Sequence, residues 1–234
     1  MATFQGRRIV ITGASRGIGY HAARMFLAAG AEVLGPGRDA ERLERTAREL
    51  KALGPFTAQV ADFSDPAAPK ALADAVGRHW GALDLLVNNA AVQTWRKDWT
   101  AEGVDMLERE ARVNLFAPHE LTFHLLPLLR AGDEPRVINV SSGAGTRQAL
   151  AQSPDMPSYR LTKYALNGMT MLWAGQLKGQ VAVNSLDPGW LKTDLGGPNA
   201  PGEPPEGGQR VLALAALPFE VTGRFFYGDK ELEF

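Results

Sequence analysis

The chain has 234 residues, 45% of them hydrophobic, with a formal net charge of -1 at pH 7 and no cysteine. This composition supports a globular protein with a full hydrophobic core. Interspersed charges of both signs give no basic surface for nucleic acid or for an anionic membrane, so neither is expected as a partner. No apolar run approaches the roughly 18 residues of a membrane-spanning helix. We therefore expect a cytoplasmic protein that binds a small molecule.

Short aliphatic runs alternate with amphipathic helical patterns along the whole chain, as in a parallel sheet with crossover helices. The predicted strands lie at 7–12, 31–35, 56–61, 83–88, 136–141, 181–186 and 224–228. The predicted helices lie at 18–29, 40–53, 67–80, 101–130, 158–178 and 206–217. No repeat or linker interrupts the pattern. It predicts one doubly wound α/β domain over residues 1–234, with a seven-stranded parallel sheet flanked by helices.

The stretch ITGASRGIGYHAARMF places three glycines and a serine between the first strand and the first helix. Gly13, Ser15 and Gly17 match the G-x-S-x-G turn that presents a nucleophilic serine in hydrolases. Alternatively, Gly13, Gly17 and Gly19 let the backbone approach the pyrophosphate of a dinucleotide at a helix N-terminus. The two interpretations exclude each other, so the rest of the chain must decide between them.

The position of the turn favours the dinucleotide. Only one predicted strand precedes Ser15, whereas a nucleophile elbow normally follows several. A hydrolase triad in the order Ser, Asp, His also needs a late histidine, and the last histidine in this chain is His124. The sequence therefore predicts a Rossmann-type domain, and a serine hydrolase acting through Ser15 is the less favoured interpretation.

Several further motifs occur in a fixed order. They are TGASRGIG at 12–19, NNAA at 88–91, Asn114 in RVNL, the serine pair at 141–142, YRLTK at 159–163 and DPGWLKTD at 187–194. In this order and spacing, the whole chain resembles the short-chain dehydrogenase/reductase family. The segment PGWLKTDLGGPNA is similar to that of carbonyl-reductase-like members. The resemblance implies hydride transfer between a nicotinamide cofactor and a carbonyl compound or an alcohol.

The resemblance also implies four catalytic residues, Asn114, Ser142, Tyr159 and Lys163. Tyr159 would give or take the proton, and Ser142 would hydrogen-bond the substrate oxygen. A free phenol has a pKa near ~10, so a base at neutral pH needs a nearby cation to stabilise the phenolate. Lys163, four residues along the same helix face, can supply that cation. Asn114 would hold a water molecule that links Lys163 to solvent.

Cofactor-binding residues follow from the same resemblance. Those around the pyrophosphate are Gly13, Ser15, Arg16, Gly17, Ile18 and Gly19, and those around the adenosine are Asp62, Phe63, Asn89 and Ala90. Those at the nicotinamide end are Pro188, Gly189, Leu191 and Thr193, together with Tyr159 and Lys163. Ala91 stands where the family usually has a glycine.

The end of the second strand indicates NADP(H) rather than NAD. An NAD enzyme needs a carboxylate there for the ribose 2′-hydroxyl. Gly37 aligns with that position and Arg38 follows it, so a 2′-phosphate can lie between Arg38 and Arg16. Asp39 is a carboxylate close to this position and so favours NAD, but we interpret it as the N-cap of the second helix.

The substrate pocket is predicted to be apolar, because Trp95, Met156 and Trp190 flank the motifs. Such a pocket favours hydrophobic or aromatic carbonyl compounds over sugars or charged acids. Ser142 and Tyr159 are about four residues further apart than the family commonly shows, which predicts a small insertion beside the site. Glycine and proline occupy nine of the thirteen positions at 196–208. We expect a flexible substrate loop around 191–208 that closes as a lid.

Three further expectations concern metal, assembly and a rival function. The histidines of HELTFH at 119–124 lie about 140° apart on a helix, so no metal site is predicted.

Methionines and a tryptophan at 169–173 suggest packing in the core or between subunits, and we expect a homodimer or homotetramer. A catalytically silent dinucleotide-binding regulator would keep the glycine turn without needing the four catalytic residues together.

Overall fold

The computed structural model describes residues 4–95, 100 and 103–234, and the strands of this part of the chain form one sheet. They are β1 (Arg8–Ile11), β2 (Glu32–Gly37), β3 (Phe56–Val60), β4 (Leu85–Asn88), β5 (Arg136–Val140), β6 (Ala182–Leu186), β7 (Phe225–Tyr227) and β8 (Lys230–Leu232). Their order is β3-β2-β1-β4-β5-β6-β7-β8. The strand order reverses between β1 and β4, which confirms the predicted doubly wound Rossmann-type α/β domain.

Helices cover both faces of the sheet. They are α1 (Gly17–Ala28), α2 (Ala40–Lys51), α3 (Ala68–His79), α4 (Val104–Ala111), α5 (Ala117–Arg130), α6 (Arg147–Gln152), α7 (Pro157–Gln176) and α8 (Pro204–Ala215). The Asp39 side chain accepts a hydrogen bond from the backbone N–H of Arg42 at 3.0 Å and caps α2, as predicted. Within the described residues, no helix has the length and apolar character needed to cross a membrane.

Alternate residues of β1 belong to two hydrophobic clusters, one on each face of the sheet. Ile9 and Ile11 belong to the cluster that contains Phe26 of α1, whereas Val10 belongs to the cluster that contains Leu121 of α5. Successive side chains of a strand point to opposite faces, so a strand covered on both faces is an unbroken apolar run. Because helices close both faces, the C-terminal ends of the parallel strands remain as an open edge.

The sheet has one strand more than the predicted seven in the described part of the chain. β1 to β7 pair in parallel, and β8 pairs antiparallel with β7 through Tyr227 and Lys230. The segment Lys230–Leu232 is short and polar, so its sequence carries no strand pattern. A two-residue turn with Gly228 at φ +63° brings it back against β7, and its strand character comes from that pairing alone.

The long helix predicted at 101–130 is divided in the structure, and residues 101 and 102 lie outside the described part. A π-helical turn at Arg112–Phe116 separates α4 from α5. Pro118 has no N–H, so the carbonyl of Asn114 cannot receive the hydrogen bond that an α-helix would supply from that position. The helix accommodates this by widening, and the Ala117 N–H bonds the Arg112 carbonyl. Pro118 therefore accounts for the distortion.

Two segments predicted as irregular contain helix. α6 lies in the insertion before Tyr159, where Thr146 caps its N-terminus with a 3.1 Å hydrogen bond to the Ala149 N–H. α8 begins at Pro204, two residues before the predicted start, so the last five residues of the predicted loop 191–208 are helical. Proline is favourable in the first turn of a helix because that turn leaves its N–H groups unbonded. The irregular segment therefore ends at Glu203.

Two glycines inside α8 allow that helix to pack closely on α1. A Cβ atom added at Gly208 would lie 2.9 Å from the backbone N of Ala22 and 2.9 Å from the backbone C of His21. A Cβ atom at Gly207 would lie 2.7 Å from Ile18. Glycine at these positions therefore serves helix packing, which explains why a Gly- and Pro-rich stretch is ordered here.

We predict that Gly208→Ala lowers the free energy of unfolding by about 1–3 kcal/mol, because the added methyl group overpacks a backbone contact. Denaturant unfolding measures the change. Gly77→Ala is the matched control, since its Cβ would meet only Leu128 at 3.8 Å. That control should leave stability unchanged or raise it by up to about 1 kcal/mol. Equal stability of the two variants would contradict the packing argument.

Candidate active site

A cavity of about 840 Å³ opens at the C-terminal edge of the parallel strands. The segments that follow β1, β2, β3, β4, β5 and β6 all contribute to its lining. The structure brings together there every predicted site residue except Gly19 and Asn114. These two contact lining residues, Gly19 beside Gly13 and Asn114 through Val92. This is the position where doubly wound folds bind ligands.

The turn after β1 depends on its glycines. Gly13 and Gly17 have φ angles of +70° and +54°, a region that favours glycine. A side chain at Gly19 would clash with the Gly13 carbonyl, so this residue allows α1 to start close to the turn. Ser15 lines the cavity, and no histidine is among the described residues that line it with Ser15. Among the described residues, the structure therefore gives the hydrolase interpretation no histidine base next to Ser15.

Three arginines surround the start of α1. Arg16 is the N-cap residue of α1 and makes no side-chain cap, so the first-turn N–H groups remain available to an anion. Arg38 and Arg42 line the same end of the cavity. The pKa of Arg16 is lowered by burial and then by the charges of Arg42 and Arg38. These groups fit a phosphorylated ligand by charge and by hydrogen-bonding capacity.

Arg42 and Asp194 are site residues that sequence reasoning missed. Asp194 pairs with Arg16 and, at 3.5 Å, with Arg42. The signal for Arg42 was its position four residues after Arg38, which places it in the first turn of α2. Asp62 and Phe63 line the cavity nearby, and the Asp62 carboxylate accepts from the Ser64 N–H at 3.0 Å, which lowers its pKa.

Tyr159 and Lys163 lie on the first turns of α7 and are almost fully buried, with 8% and 3% of their surface exposed. The Lys163 ammonium donates to the Val140 carbonyl at 2.8 Å and lies 5.7 Å from the centre of the Tyr159 ring. Burial lowers the pKa of Lys163 to about 8, and the charge of Glu110 opposes this shift. Burial also raises the pKa of Tyr159, so the phenol holds its proton.

Ser142 lies at the end of β5, where its hydroxyl accepts from the Ala144 N–H at 3.1 Å. It also hydrogen-bonds the Tyr159 side chain, which opposes the rise in the tyrosine pKa. Ser141 is buried and donates to the Lys163 backbone carbonyl at 3.3 Å, which is a structural role. Ser142, Tyr159 and Lys163 are thus brought together as the motifs predicted.

Asn114 lies in the π-helical turn and is fully buried. Its side chain accepts from the Val92 N–H at 2.9 Å and donates to the Val92 carbonyl at 2.8 Å. It also donates to the Thr162 hydroxyl at 3.2 Å. The side chain therefore holds the segment after β4 against α7. A water bound to the Asn114 backbone carbonyl remains a prediction. It is supported by Pro118, which has no N–H and so leaves that carbonyl without its helical hydrogen bond.

The segment after β4 is also joined to the glycine turn. The Thr12 hydroxyl accepts from the backbone N–H groups of Asn89 at 2.8 Å and Ala90 at 2.9 Å. The Asn89 side chain donates to the Thr12 carbonyl at 2.7 Å. The walls of the cavity formed after β1 and after β4 are therefore fixed to each other.

The insertion before Tyr159 is held by Arg160. The guanidinium donates to the Asp155 carbonyl at 2.7 Å and pairs with the Asp155 carboxylate. Between them lies Met156, which has a left-handed backbone conformation with φ +50° and faces the cavity. The insertion thus forms part of the pocket wall, next to Tyr159.

The turn after β6 carries the predicted nicotinamide-side residues Pro188, Gly189, Leu191 and Thr193. Gly189 has a φ of +82° and donates its N–H to the Asp187 carboxylate at 2.9 Å. Arg210 of α8 donates to the Pro188 carbonyl. Trp190 is 54% exposed, and its indole N–H donates to the Gly196 carbonyl at 2.7 Å. Trp95, 56% exposed, borders the same outer part of the cavity.

A metal centre is absent from the described residues, where no group of three or more His, Asp or Glu side chains has the arrangement to hold an ion.

A Rossmann-type sheet, a glycine turn beside arginines, and a half-buried Ser142 next to the buried Tyr159–Lys163 pair define a dinucleotide-dependent oxidoreductase. The profile of the short chain dehydrogenase family matches residues 7–203. The chain belongs to this family, as the motifs predicted.

Individual relatives give a consistent result. The chain is 28% identical to carbonyl reductase (NADPH) 1 of Sus scrofa, over 97% of this chain and 93% of that protein. It is 37% identical to the rhamnolipids biosynthesis 3-oxoacyl-(acyl-carrier-protein) reductase of Pseudomonas aeruginosa, over 79% and 72%. The crystal structure of NADPH-bound carbonyl reductase from chicken fatty liver superposes with a TM-score of 0.89 at 28% identity, covering 98% of this chain and 100% of that one. The predicted similarity to carbonyl-reductase-like members is confirmed.

Proposed function

We propose that this enzyme interconverts a ketone or aldehyde and the corresponding alcohol, with Tyr159 as the proton donor and acceptor. The observation that carries the proposal is the buried Tyr159–Lys163 pair with the half-buried Ser142 beside it, in the same cavity as the glycine turn. Burying the Lys163 ammonium costs free energy, and such buried charges cluster at functional sites. A silent dinucleotide-binding regulator does not need a buried ammonium, so this arrangement favours an enzyme.

The cofactor is NADP(H), which supplies or accepts the hydride when bound. Arg16, Arg38 and Arg42 line the end of the cavity next to Gly37, where an NAD enzyme would carry an acid. The pig and chicken relatives are both named for NADPH. The predicted residues of the turn that begins at Gly13 would hold the phosphates at this end of the cavity. Those of the turn that includes Thr193 would hold the nicotinamide beside Tyr159.

In the direction of reduction, Ser142 donates a hydrogen bond to the carbonyl oxygen and Tyr159 transfers its phenolic proton to that oxygen. The ammonium of Lys163 then stabilises the phenolate that remains. Because the pKa of Lys163 is about 8, this cation is present below that pH and is lost above it. We therefore expect carbonyl reduction to decline on the alkaline side. The Asn114 carbonyl would hold the water that returns a proton toward Lys163.

The exposed apolar side chains at the cavity mouth support a hydrophobic or aromatic carbonyl substrate. Trp95, Met156 and Trp190 border the space above the proton-transfer residues. The irregular segment from Leu191 to Glu203 would close over this space as a lid and exclude water. Within the single domain, this lid is the part we expect to move.

A homodimer or homotetramer is supported by an apolar surface on α5, α7 and the π-helical turn. Its exposed residues are Phe116, Phe123, Leu161, Tyr164, Met171 and Leu172. Trp173 lies in the core against His119, with ring centres 5.5 Å apart, and is not part of this surface. Light scattering in solution tests the assembly, and a monomer at micromolar concentration would contradict it. A cytoplasmic location stays a prediction from the sequence.

We predict that Tyr159→Phe lowers kcat for NADPH-linked carbonyl reduction by about 10²- to 10⁴-fold, because it deletes the proton donor and keeps the ring. The dissociation constant for NADPH, measured by fluorescence, should stay nearly unchanged. Tyr164→Phe on the same helix is 40% exposed in the wild type and serves as the control. Wild-type turnover in the Tyr159 variant would refute the assignment.

The wild type should have a higher kcat/KM with NADPH than with NADH. Gly37→Asp with Arg38→Ala should lower that ratio about tenfold or more, because one charge-assisted hydrogen bond contributes about 1.5–3 kcal/mol. The new Cβ at position 37 would lie 3.3 Å from the Ser15 hydroxyl, a contact that the serine side chain can relieve. Equal kcat/KM for the two cofactors in the wild type would contradict the proposal.

Trp190→Ala should raise KM for an aryl ketone by about tenfold and KM for a small aliphatic ketone much less, because only the former buries apolar surface on the indole. Trp190→Phe keeps an aromatic ring but loses the hydrogen bond to Gly196, so it separates the pocket from the loop. Parallel KM changes for both ketones would show that Trp190 shapes the loop instead of the pocket.

A further inference from the structure

Glu110 lies in the last turn of α4 with only 1% of its surface exposed. It is one helical turn before Asn114, and both side chains face the segment that follows β4. Asn114 binds both backbone groups of Val92, and the Glu110 carboxylate accepts from the N–H of Thr94. Two buried side chains therefore hold alternate residues of the segment that leads to Trp95 and the substrate side of the cavity.

The charge of Glu110 strengthens that hydrogen bond, but a neutral amide can also accept from Thr94. A buried carboxylate is costly unless other charges compensate it. Four charged side chains are buried in the described part of the chain, namely Asp84, Glu110, Arg160 and Lys163. Arg8 pairs with Asp84, and Asp155 pairs with Arg160. The charge of Glu110 also raises the pKa of Lys163, and their helices, α4 and α7, pack against each other.

We propose that Glu110 is a positioning residue of the active site, which holds the segment after β4 through Thr94 and carries a buried negative charge on the helix that packs against α7, the helix of Tyr159 and Lys163. This inference rests on the proposed function, because it gives Tyr159 and Lys163 their catalytic roles. Glu110 acts through these residues and through Thr94 and does not itself touch the reacting atoms.

The charge of Glu110 affects both partners in the same sense. It raises the pKa of Lys163 against burial, and it raises the pKa of Tyr159, as does Asp187 after β6. Arg109 of α4 is a further charged side chain that lines the cavity. A neutral residue at position 110 lowers both pKa values, so the proton donor and its supporting cation are lost at lower pH.

The test uses three variants and the pH profile of kcat/KM for NADPH-linked reduction. Glu110→Gln keeps the acceptor for Thr94 and removes the charge, so its alkaline limb should move to lower pH by about half a unit or more. Its KM for the carbonyl substrate should stay within about twofold of the wild type. Glu110→Asp keeps the charge but has a shorter side chain. The alkaline limb of its pH profile should therefore stay in place, and its KM should rise several-fold. Glu108→Gln, an exposed position on the same helix, should change neither.

An unmoved alkaline limb in Glu110→Gln overturns the electrostatic part, and an unchanged KM in Glu110→Asp overturns the part played by Thr94. If one variant fails to fold, as thermal unfolding and NADPH binding would show, the other still decides its own part. Failure of the proposed function is separate, because it appears as wild-type turnover in Tyr159→Phe. An inactive Tyr159→Phe with an unmoved limb in Glu110→Gln rejects Glu110 alone.

Discussion

The close approach of α7 to the end of β5 is the constraint on which the rest of the site depends. A Cβ atom at Gly145 would lie 2.6 Å from the Lys163 backbone, so only glycine allows the helix to come so near. At this distance the Lys163 ammonium reaches the Val140 carbonyl, and Ser141 bonds the helix backbone. Asn167 donates to the Gly145 carbonyl at 3.1 Å and fixes the next turn. Tyr159 and Lys163 thus take their positions from the sheet.

Hydrogen bonds to the backbone hold the polar groups at the base of the cavity. Lys163, Asn114 and Ser142 each have a backbone partner, so little reorganisation remains for the reaction. Fixed dipoles in a dry site act more strongly on developing charge than the same groups in water. The outer part of the cavity differs, since Trp95 and Trp190 are more than half exposed. The base of the cavity is therefore held by hydrogen bonds, whereas its mouth is open to solvent.

Sequence patterns were sufficient for the features that depend on local spacing. The glycine turn, the apolar strands and the Tyr159–Lys163 pair are each readable within a few residues. The failures depend on partners far along the chain. β8 is a strand because β7 lies beside it, and α8 begins early because Gly208 fits against α1. Glu110 resembles any charged residue of an amphipathic helix, and its burial follows from contacts with segments that composition does not reveal.

The antiparallel strand β8 has a consequence for the molecule as a whole. An exposed edge strand offers unpaired N–H and C=O groups to other chains, and proteins protect such edges with short, charged strands. β8 has only three residues, and Lys230 and Glu231 are exposed on it. Arg224 pairs with Glu231 at 2.7 Å and holds it in place. The strand that carries no sequence signal thus ends the sheet in a form that resists the addition of foreign strands, which limits aggregation through this edge.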